Sequence, residues 1–205
     1  MFGRRPDGRR ISYIDPIVRI TPYLMPTRVD APVMLKAKLD YELLARYIAA
    51  QSAKGEKLSF LHIFVAAYVR AVSQHPEVNR FIMNRQYYSR TNCTTSFTML
   101  KNTGDDTLVE TAVKIKYDLT DTVYDVRDRI DAVINANRAI EGKNFADKLA
   151  AGLLAIPVLP RLFVGLIKLL DLYGLCPGAL LDELPFHTGL FVTNMASIGM
   201  PYVYH

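Results

Sequence analysis

The amino-acid sequence predicts an α/β protein in which a mixed sheet is flanked by helices. Two segments, residues 33–39 and 110–119, alternate apolar and polar side chains, which is the pattern of half-buried strands. Two others, residues 60–72 and 123–134, repeat apolar side chains at helical spacing. The elements follow one another as strand, helix, helix, strand, strand, helix and strand, and this order favours several strands in one sheet.

The first 32 residues are rich in arginine and proline. We expect residues 1–32 to form an extended N-terminal arm, with one short strand around residues 17–20. Residues 33–205 are expected to form one domain, because the chain is long enough to bury a real core.

The first two helices of this domain carry end signals. Asp40 can cap a helix at 41–54, and Gly55 follows its end. Ser59 can cap a second helix at 59–74, which ends before a proline. The apolar stripe of the second helix is wide, so we expect this helix to lie at the centre of the domain.

The rest of the domain is predicted as two strands, a helix and a final strand. Residues 87–100 and 110–119 are typical of strands, and the polar residues 101–106 between them are typical of a turn. A helix is expected at 122–138, from the spacing of its apolar residues, and a last strand at 189–195.

The segment 149–170 is apolar and long enough to span a bilayer. Pro157 and Pro160 interrupt any single helix, however, and Arg161 and Lys168 would be costly at the centre of a membrane. The sequence therefore favours two shorter helices packed on the domain or on a partner subunit. Contact with a membrane surface is the second interpretation, and a membrane-spanning helix is the third.

The charge of the chain does not indicate nucleic-acid binding. Much of the formal net charge of +5 comes from Arg4, Arg5, Arg9 and Arg10, and no nucleic-acid recognition motif accompanies them. The rest of the chain has only a small excess of positive charge, which is compatible with binding of an anionic small molecule such as a phosphorylated cofactor.

The cysteines and the N-terminus indicate a cytoplasmic protein. Cys93 and Cys176 stand in unrelated contexts without CxxC or Cys/His spacing, so we expect reduced thiols, with neither a disulfide nor a metal site. The basic N-terminus is not followed by the apolar stretch of a signal peptide.

Three segments carry a resemblance to a known family. They are LSFLHIFVAAYVRAVSQHPEVNRFI (58–82), GDDTLVETAVKIKYDLTDTVYDVRDRI (104–130) and LFVTNMASIG (190–199). In this order they resemble the acyltransferase catalytic domain of 2-oxoacid dehydrogenase complexes, the dihydrolipoamide acyltransferases, whose fold is shared with chloramphenicol acetyltransferase. The resemblance covers roughly residues 28–199, in which residues 145–185 look like an inserted helical hairpin.

The resemblance implies acyl transfer between coenzyme A and a thiol or hydroxyl acceptor, either a lipoyl group or a small molecule. Thr193, followed by Asn194, matches the hydroxyl residue that donates a hydrogen bond to the oxyanion in this family. The alternative is that Thr193 is a strand residue whose hydroxyl bonds the following turn. The resemblance also implies a homotrimer with its active site between neighbouring subunits.

The HxxxDG motif that provides the family's general base does not occur in these 205 residues. His62 lies within an apolar helix and is expected to be a core residue, and His75 is expected at a solvated helix end. In an extended strand His187 would lie roughly 20 Å from Thr193, too far to act there. His205 is the last residue, so the sequence nominates no convincing base.

Two expectations follow from these absences. The chain is either a fragment with an incomplete C-terminus or a naturally short and inert copy. Residues 1–32 are also too short to hold a lipoyl-bearing module, so we expect no lipoyl attachment site. Three functions remain open: an acyl-CoA-dependent acyltransferase, a non-catalytic scaffold or binding subunit of the same fold, and a membrane-surface protein.

Overall fold

The computed structural model describes residues 5–102, 108–139 and 158–193. Its elements follow in chain order: β1 (Gly8–Arg10), α1 (Pro16–Arg19), α2 (Thr21–Leu24), α3 (Tyr41–Ser52), α4 (Phe60–Gln74), a 3₁₀ helix (Pro76–Asn79), β2 (Arg80–Met83), β3 (Gln86–Arg90), β4 (Cys93–Asn102), β5 (Leu108–Tyr117), α5 (Val123–Ala139), α6 (Leu159–Leu172), α7 (Gly178–Glu183) and β6 (Leu190–Val192). The protein therefore belongs to the α/β class, as predicted.

The strands divide between two sheets, whereas the sequence predicted one. In the first sheet the order is β1-β3-β2 and both pairs are antiparallel. In the second the order is β5-β4-β6, with β4 antiparallel to β5 and parallel to β6. This second sheet is mixed and packs against α4 and α5, so it corresponds to the predicted sheet flanked by helices.

The core lies between the second sheet and helices α4 and α5. Burial alternates along residues 113–117 of β5, where Val113, Ile115 and Tyr117 are buried and the two lysines between them point to the other side. Both lysines reach α7: Lys114 donates to the carbonyl of Leu181 at 2.7 Å, and Lys116 pairs with Asp182 at 3.4 Å. The core members are Val65, Val69, Val72, Cys93, Phe97, Val113, Ile115, Tyr117, Val126 and Ile130.

The three predicted helices are confirmed as α3, α4 and α5. Asp40 accepts hydrogen bonds from the backbone N–H groups of Glu42 and Leu43 at the start of α3. Ser59 caps α4 through a reciprocal arrangement with His62. The end signals that the sequence carries therefore act as expected.

Two strand predictions in the N-terminal region are wrong. Residues 17–20 fall in and directly after α1, because Asp15 caps that helix and Pro16 provides a backbone already suited to its first turn. Residues 32–40 have no regular structure, although 33–39 alternate like a strand. The side chains of Val33 and Leu35 are 81 and 88% exposed, so no neighbour covers the apolar face that the alternation predicted.

The predicted strand 87–100 is two strands, β3 and β4, which belong to different sheets. A bend at residues 91–92 separates them. The sequence analysis also missed β2, which joins β3 through a tight turn at Asn84 and Arg85. Both turn residues have positive φ, 47 and 57°, as tight hairpin turns require.

The predicted hairpin at 145–185 is described only in its second part. Residues 140–157 lie outside the described residues, so a first helix there stays a prediction. The α6 helix carries Pro160 in its first turn and ends at Leu172, two residues before Gly174, whose φ of 69° suits the absence of a Cβ. Among the described helices, none combines the length and hydropathy that crossing a bilayer requires.

Candidate functional site

Thr193 is the last described residue of the chain, and it follows β6 directly. The register of β6 pairs Leu190 with Thr95 and Val192 with Phe97 on β4. Thr94 anchors the entrance to β6, because its carbonyl accepts from the Gly189 N–H at 3.2 Å and from the Thr188 hydroxyl at 2.9 Å. Asn194, the predicted neighbour of the hydroxyl residue, lies outside the described residues.

Thr193 borders an apolar cavity of about 540 Å³. One wall comes from the start of α3, a second from α4, and the third from the end of β6. A volume of this size is in the range of small-molecule binding sites. The lining residues are Leu39, Asp40, Leu43, Leu44, Phe60, Leu61, Ile63, Phe64, Ala67, Val192 and Thr193.

Two polar side chains among the described residues border this cavity, and they differ in their surroundings. The Asp40 carboxylate is already engaged as the cap of α3, at 3.0 Å from the Glu42 nitrogen and 3.4 Å from the Leu43 nitrogen. The Thr193 side chain is exposed. The cavity therefore offers an open apolar surface with the Thr193 hydroxyl at its rim.

None of the described histidines lines this cavity. His62 is buried, as expected; its Nδ1 accepts from the Ser59 N–H at 3.2 Å and its Nε2 lies 3.4 Å from Asp131. Burial lowers the pKa of His62, and the Asp131 carboxylate acts in the opposite direction. His75 is exposed at the end of α4, as predicted.

His187 has different surroundings from those the sequence analysis assumed. The chain at 185–189 consists of turns and bends, and the strand begins only at Leu190, so the distance for a fully extended chain does not apply. Burial lowers the pKa of His187, with Asp171 acting in the opposite direction. The charges of Arg5 and Asp7 also act on its pKa, and His187 is not among the described residues that line the apolar cavity.

That buried ionic cluster was not found by sequence analysis. The Arg5 guanidinium donates to Asp7 at 2.8 Å and to the Asp171 carboxylate at 2.5 Å, and its side chain is 1% exposed. It also lies over the rings of Phe81 and Tyr88, at 5.1 and 5.9 Å from their centroids. Arg5 therefore ties α6 to the first sheet.

The ionic cluster holds the Asp7 carboxylate in the charged form. Burial by itself would raise the pKa of Asp7, but the hydrogen bond and the charge of Arg5 outweigh burial and lower it. A possible sequence signal is that Asp171 is the one acidic residue of the otherwise apolar and basic α6 segment. A carboxylate on a buried helix face needs a cation as its partner, but the sequence does not identify which arginine or lysine provides it.

The cysteines show no sign of a reactive centre. Both are buried free thiols. Burial raises the pKa of Cys93 to about 11, and burial also raises the pKa of Cys176, so both are protonated at neutral pH. Within residues 5–102, 108–139 and 158–193, no group of three His, Cys, Asp or Glu residues could hold a metal ion.

Comparison with known proteins gives a distant structural likeness. No family model matches the chain, and no curated protein matches it. The chain is similar in structure to a probable dihydrolipoamide acetyltransferase from Listeria monocytogenes 4b F2365, with 17% sequence identity and a TM-score of 0.45. The likeness covers 68% of this chain and 60% of that one, so it spans less than two thirds of the length of the neighbour. A TM-score of this size describes a partial likeness of shape and does not bear on activity.

Proposed function

We propose that the protein is an acyltransferase that takes its acyl group from acyl-CoA, with Thr193 as the donor to the oxyanion. The observation that carries this proposal is the position of the Thr193 hydroxyl at the rim of an apolar cavity of about 540 Å³. Acyl transfer to a thiol or hydroxyl develops negative charge on the carbonyl oxygen. A hydrogen-bond donor held at that point lowers the barrier, and one such donor contributes roughly 10²–10³ in rate.

The walls of the cavity favour an uncharged acyl group. Apart from Thr193 and the capping carboxylate of Asp40, the lining side chains are apolar. An acyl chain that enters the cavity is removed from water at a gain of about 0.8 kcal/mol for each buried CH₂. An acyl group with a terminal carboxylate would have to lose its hydration there without a cation to pair with, so we expect the enzyme to disfavour it.

The coenzyme A moiety and the acceptor belong to the same proposal. We propose a homotrimer with the site between neighbouring subunits, and a lipoyl or small-molecule thiol as acceptor. Among the residues that the structure describes, no histidine borders the cavity. His205, which lies outside them, is the first histidine to substitute in the search for the general base.

The test compares Thr193→Ala with Thr193→Ser in the release of free thiol from acetyl-CoA and from longer uncharged acyl-CoAs. The serine variant keeps a hydroxyl and should retain most of the rate. The alanine variant should lower kcat by roughly 10²–10³, about 3–4 kcal/mol, with little change in KM. If Thr193→Ala leaves turnover untouched in an active preparation, the hydroxyl only bonds the following turn.

One observation favours a second candidate, a non-catalytic binding or scaffold subunit of the same fold. The only titratable side chain of the described residues that borders the cavity is Asp40, which is engaged as a helix cap. On this alternative the wild-type protein binds acyl-CoA but does not turn it over with any thiol acceptor. Equilibrium binding measured alongside thiol release separates the two candidates.

A further inference from the structure

Among the residues that the structure describes, none covers one side of α6, and this side is apolar. The helix is held by its other side, where Arg5 donates to both the carboxylate and the carbonyl of Asp171, at 2.5 and 3.0 Å. This contact fixes the rotation of the helix about its axis. Leu162, Leu166 and Leu169 then lie on the opposite side and are 65, 54 and 52% exposed. Their spacing of four and three residues makes them one continuous stripe.

Two cations flank this apolar stripe. Arg161 and Lys168 are seven residues apart, so they lie on the same side of the helix, two turns from each other. Both side chains are exposed, and within the described part of the chain neither forms an ion pair. The one acid of the helix, Asp171, is buried on the opposite side. The exposed surface of α6 therefore carries the leucine stripe with both cations on one side of it, and Asp171 adds no exposed negative charge.

We propose that this surface of α6 docks onto a membrane that contains anionic lipids. Helices that lie in the membrane interface bury an apolar stripe in the acyl region and direct lysine and arginine towards the headgroups. The long stems of Arg161 and Lys168 let their charges reach the headgroup level while the leucines enter the hydrocarbon. Anionic headgroups supply the negative charge that both cations lack in the protein.

A second copy of the helix fits this surface less well. If two α6 helices packed stripe to stripe, each would bring the same two cations and no exposed acid, because Asp171 is committed to Arg5. Like charges would then meet without compensation. Docking to a membrane does not depend on acyl transfer, so this proposal is independent of the proposed function.

The experiment is sedimentation of the full chain with vesicles of phosphatidylcholine and phosphatidylglycerol, compared with vesicles of phosphatidylcholine alone. The wild-type protein should bind the anionic vesicles more tightly. Leu166→Asp should weaken that binding at least tenfold, since burying one leucine corresponds to a factor of roughly 10–100. The matched control is Leu35→Asp, the same change at an exposed leucine of the N-terminal region, which should bind like the wild type.

A second variant tests the charges without touching the apolar stripe. Arg161→Gln combined with Lys168→Gln should weaken binding to anionic vesicles by roughly 25-fold, about fivefold for each cation. Circular dichroism confirms that each variant is folded. The proposal is wrong if the wild type stays in the supernatant with both vesicles, or if Leu166→Asp binds as well as the wild type. It is also wrong if Leu166→Asp lowers the molar mass measured by light scattering without vesicles, because the stripe is then an interface between copies.

Discussion

Two regions of this molecule are held together by different forces. The second sheet, β5-β4-β6, meets α4 and α5 through a continuous apolar core in which Val65, Val126 and Ile130 are fully buried. The first sheet, β1-β3-β2, meets α6 through the buried arginine Arg5 and its carboxylates. The first kind of contact tolerates many apolar sequences, whereas the second depends on a few particular side chains.

The difference teaches which contacts a sequence reveals. The spacing of apolar residues along each helix and strand predicts which of them enter the core, so the core can be predicted one segment at a time. The contact of Arg5 with Asp171 joins residues 166 positions apart, and no local pattern connects them. The ionic region is also the more vulnerable of the two, since removal of one partner leaves a buried charge.

The largest effect is expected from Arg5→Met, which leaves Asp7 and Asp171 buried without their cation. We expect the free energy of unfolding to fall by about 3–5 kcal/mol. The measurement is urea denaturation followed by circular dichroism. The matched control is Arg80→Met, which removes an exposed pair with Glu77 at 3.5 Å and should cost no more than about 1 kcal/mol.

Equal losses for the two arginine variants would mean that the ionic cluster contributes no more than a surface pair. In that case the first sheet and α6 must be joined mainly by apolar contacts, and the comparison between the two regions would fail.

The elements that the sequence predicted are those with local signals. Asp40 and Ser59 cap their helices, and Gly174 follows the end of α6, because each requirement is met by neighbouring residues. The β2–β3 hairpin was missed because its turn contains Arg85 at positive φ, whereas the usual marker is glycine. The strand predicted at 33–39 failed because alternation describes a face to be buried and does not supply the neighbour that buries it.

The candidate site divides in the same way. Thr193 was predicted as a site residue from the resemblance of the segment 190–199 to a known family, and its role as an oxyanion donor stays a prediction. The apolar cavity beside it was not foreseen, because its walls come from three separate elements, α3, α4 and β6. Most wall residues had a local explanation, as part of an amphipathic face or, for Asp40, as a helix cap, and only the fold brings them together.

An intermediate loss of stability is expected from Gly189→Ala, directly before β6 in the second sheet. A Cβ at this position would lie 2.6 Å from Asn79 Oδ1 and closer still to the Tyr68 hydroxyl. Neither of those atoms has a hydrogen-bond partner within the described structure. We expect the free energy of unfolding to fall by about 1–3 kcal/mol, as overpacking does, and chemical denaturation measures it.

Two further variants sharpen the Gly189 prediction. In a Tyr68→Phe background the same alanine should cost less, because the nearest obstructing atom has been removed. Gly165→Ala on α6 meets no atom within 4 Å and should instead stabilise the protein by roughly 0.5–1 kcal/mol. A loss at Gly165 as large as that at Gly189 would count against close packing as the cause.

The smallest effect concerns pH and His62. Burial holds the pKa of His62 below its ordinary value of 6.5, despite the nearby Asp131. Below pH 6.5, therefore, His62 binds a proton more readily in the unfolded chain than in the folded protein. Stability should therefore be complete above about pH 6.5 and should decline as the pH falls through the folded pKa.

The control for this pH dependence is His62→Gln, which can keep the reciprocal cap with Ser59 but does not titrate. Urea midpoints measured from neutral to mildly acidic pH should fall less steeply in this variant. Some slope should remain, since burial also lowers the pKa of His187. An unchanged slope would assign the acid sensitivity to groups other than His62.

The short β6 strand has a consequence for the order in which the protein folds. The β4–β5 hairpin pairs segments that are close in sequence, but Thr188 and Gly189 reach Thr94 across 94 and 95 positions. Closing so long a loop costs conformational entropy, and the three paired residues of β6 offer few contacts to compensate for it. Strands that are distant in sequence therefore tend to pair after local ones. We expect β6 to dock last, onto a preformed hairpin, and to be the first strand to detach. Thr193, the residue proposed for catalysis, would thus directly follow the strand that detaches most easily from its sheet.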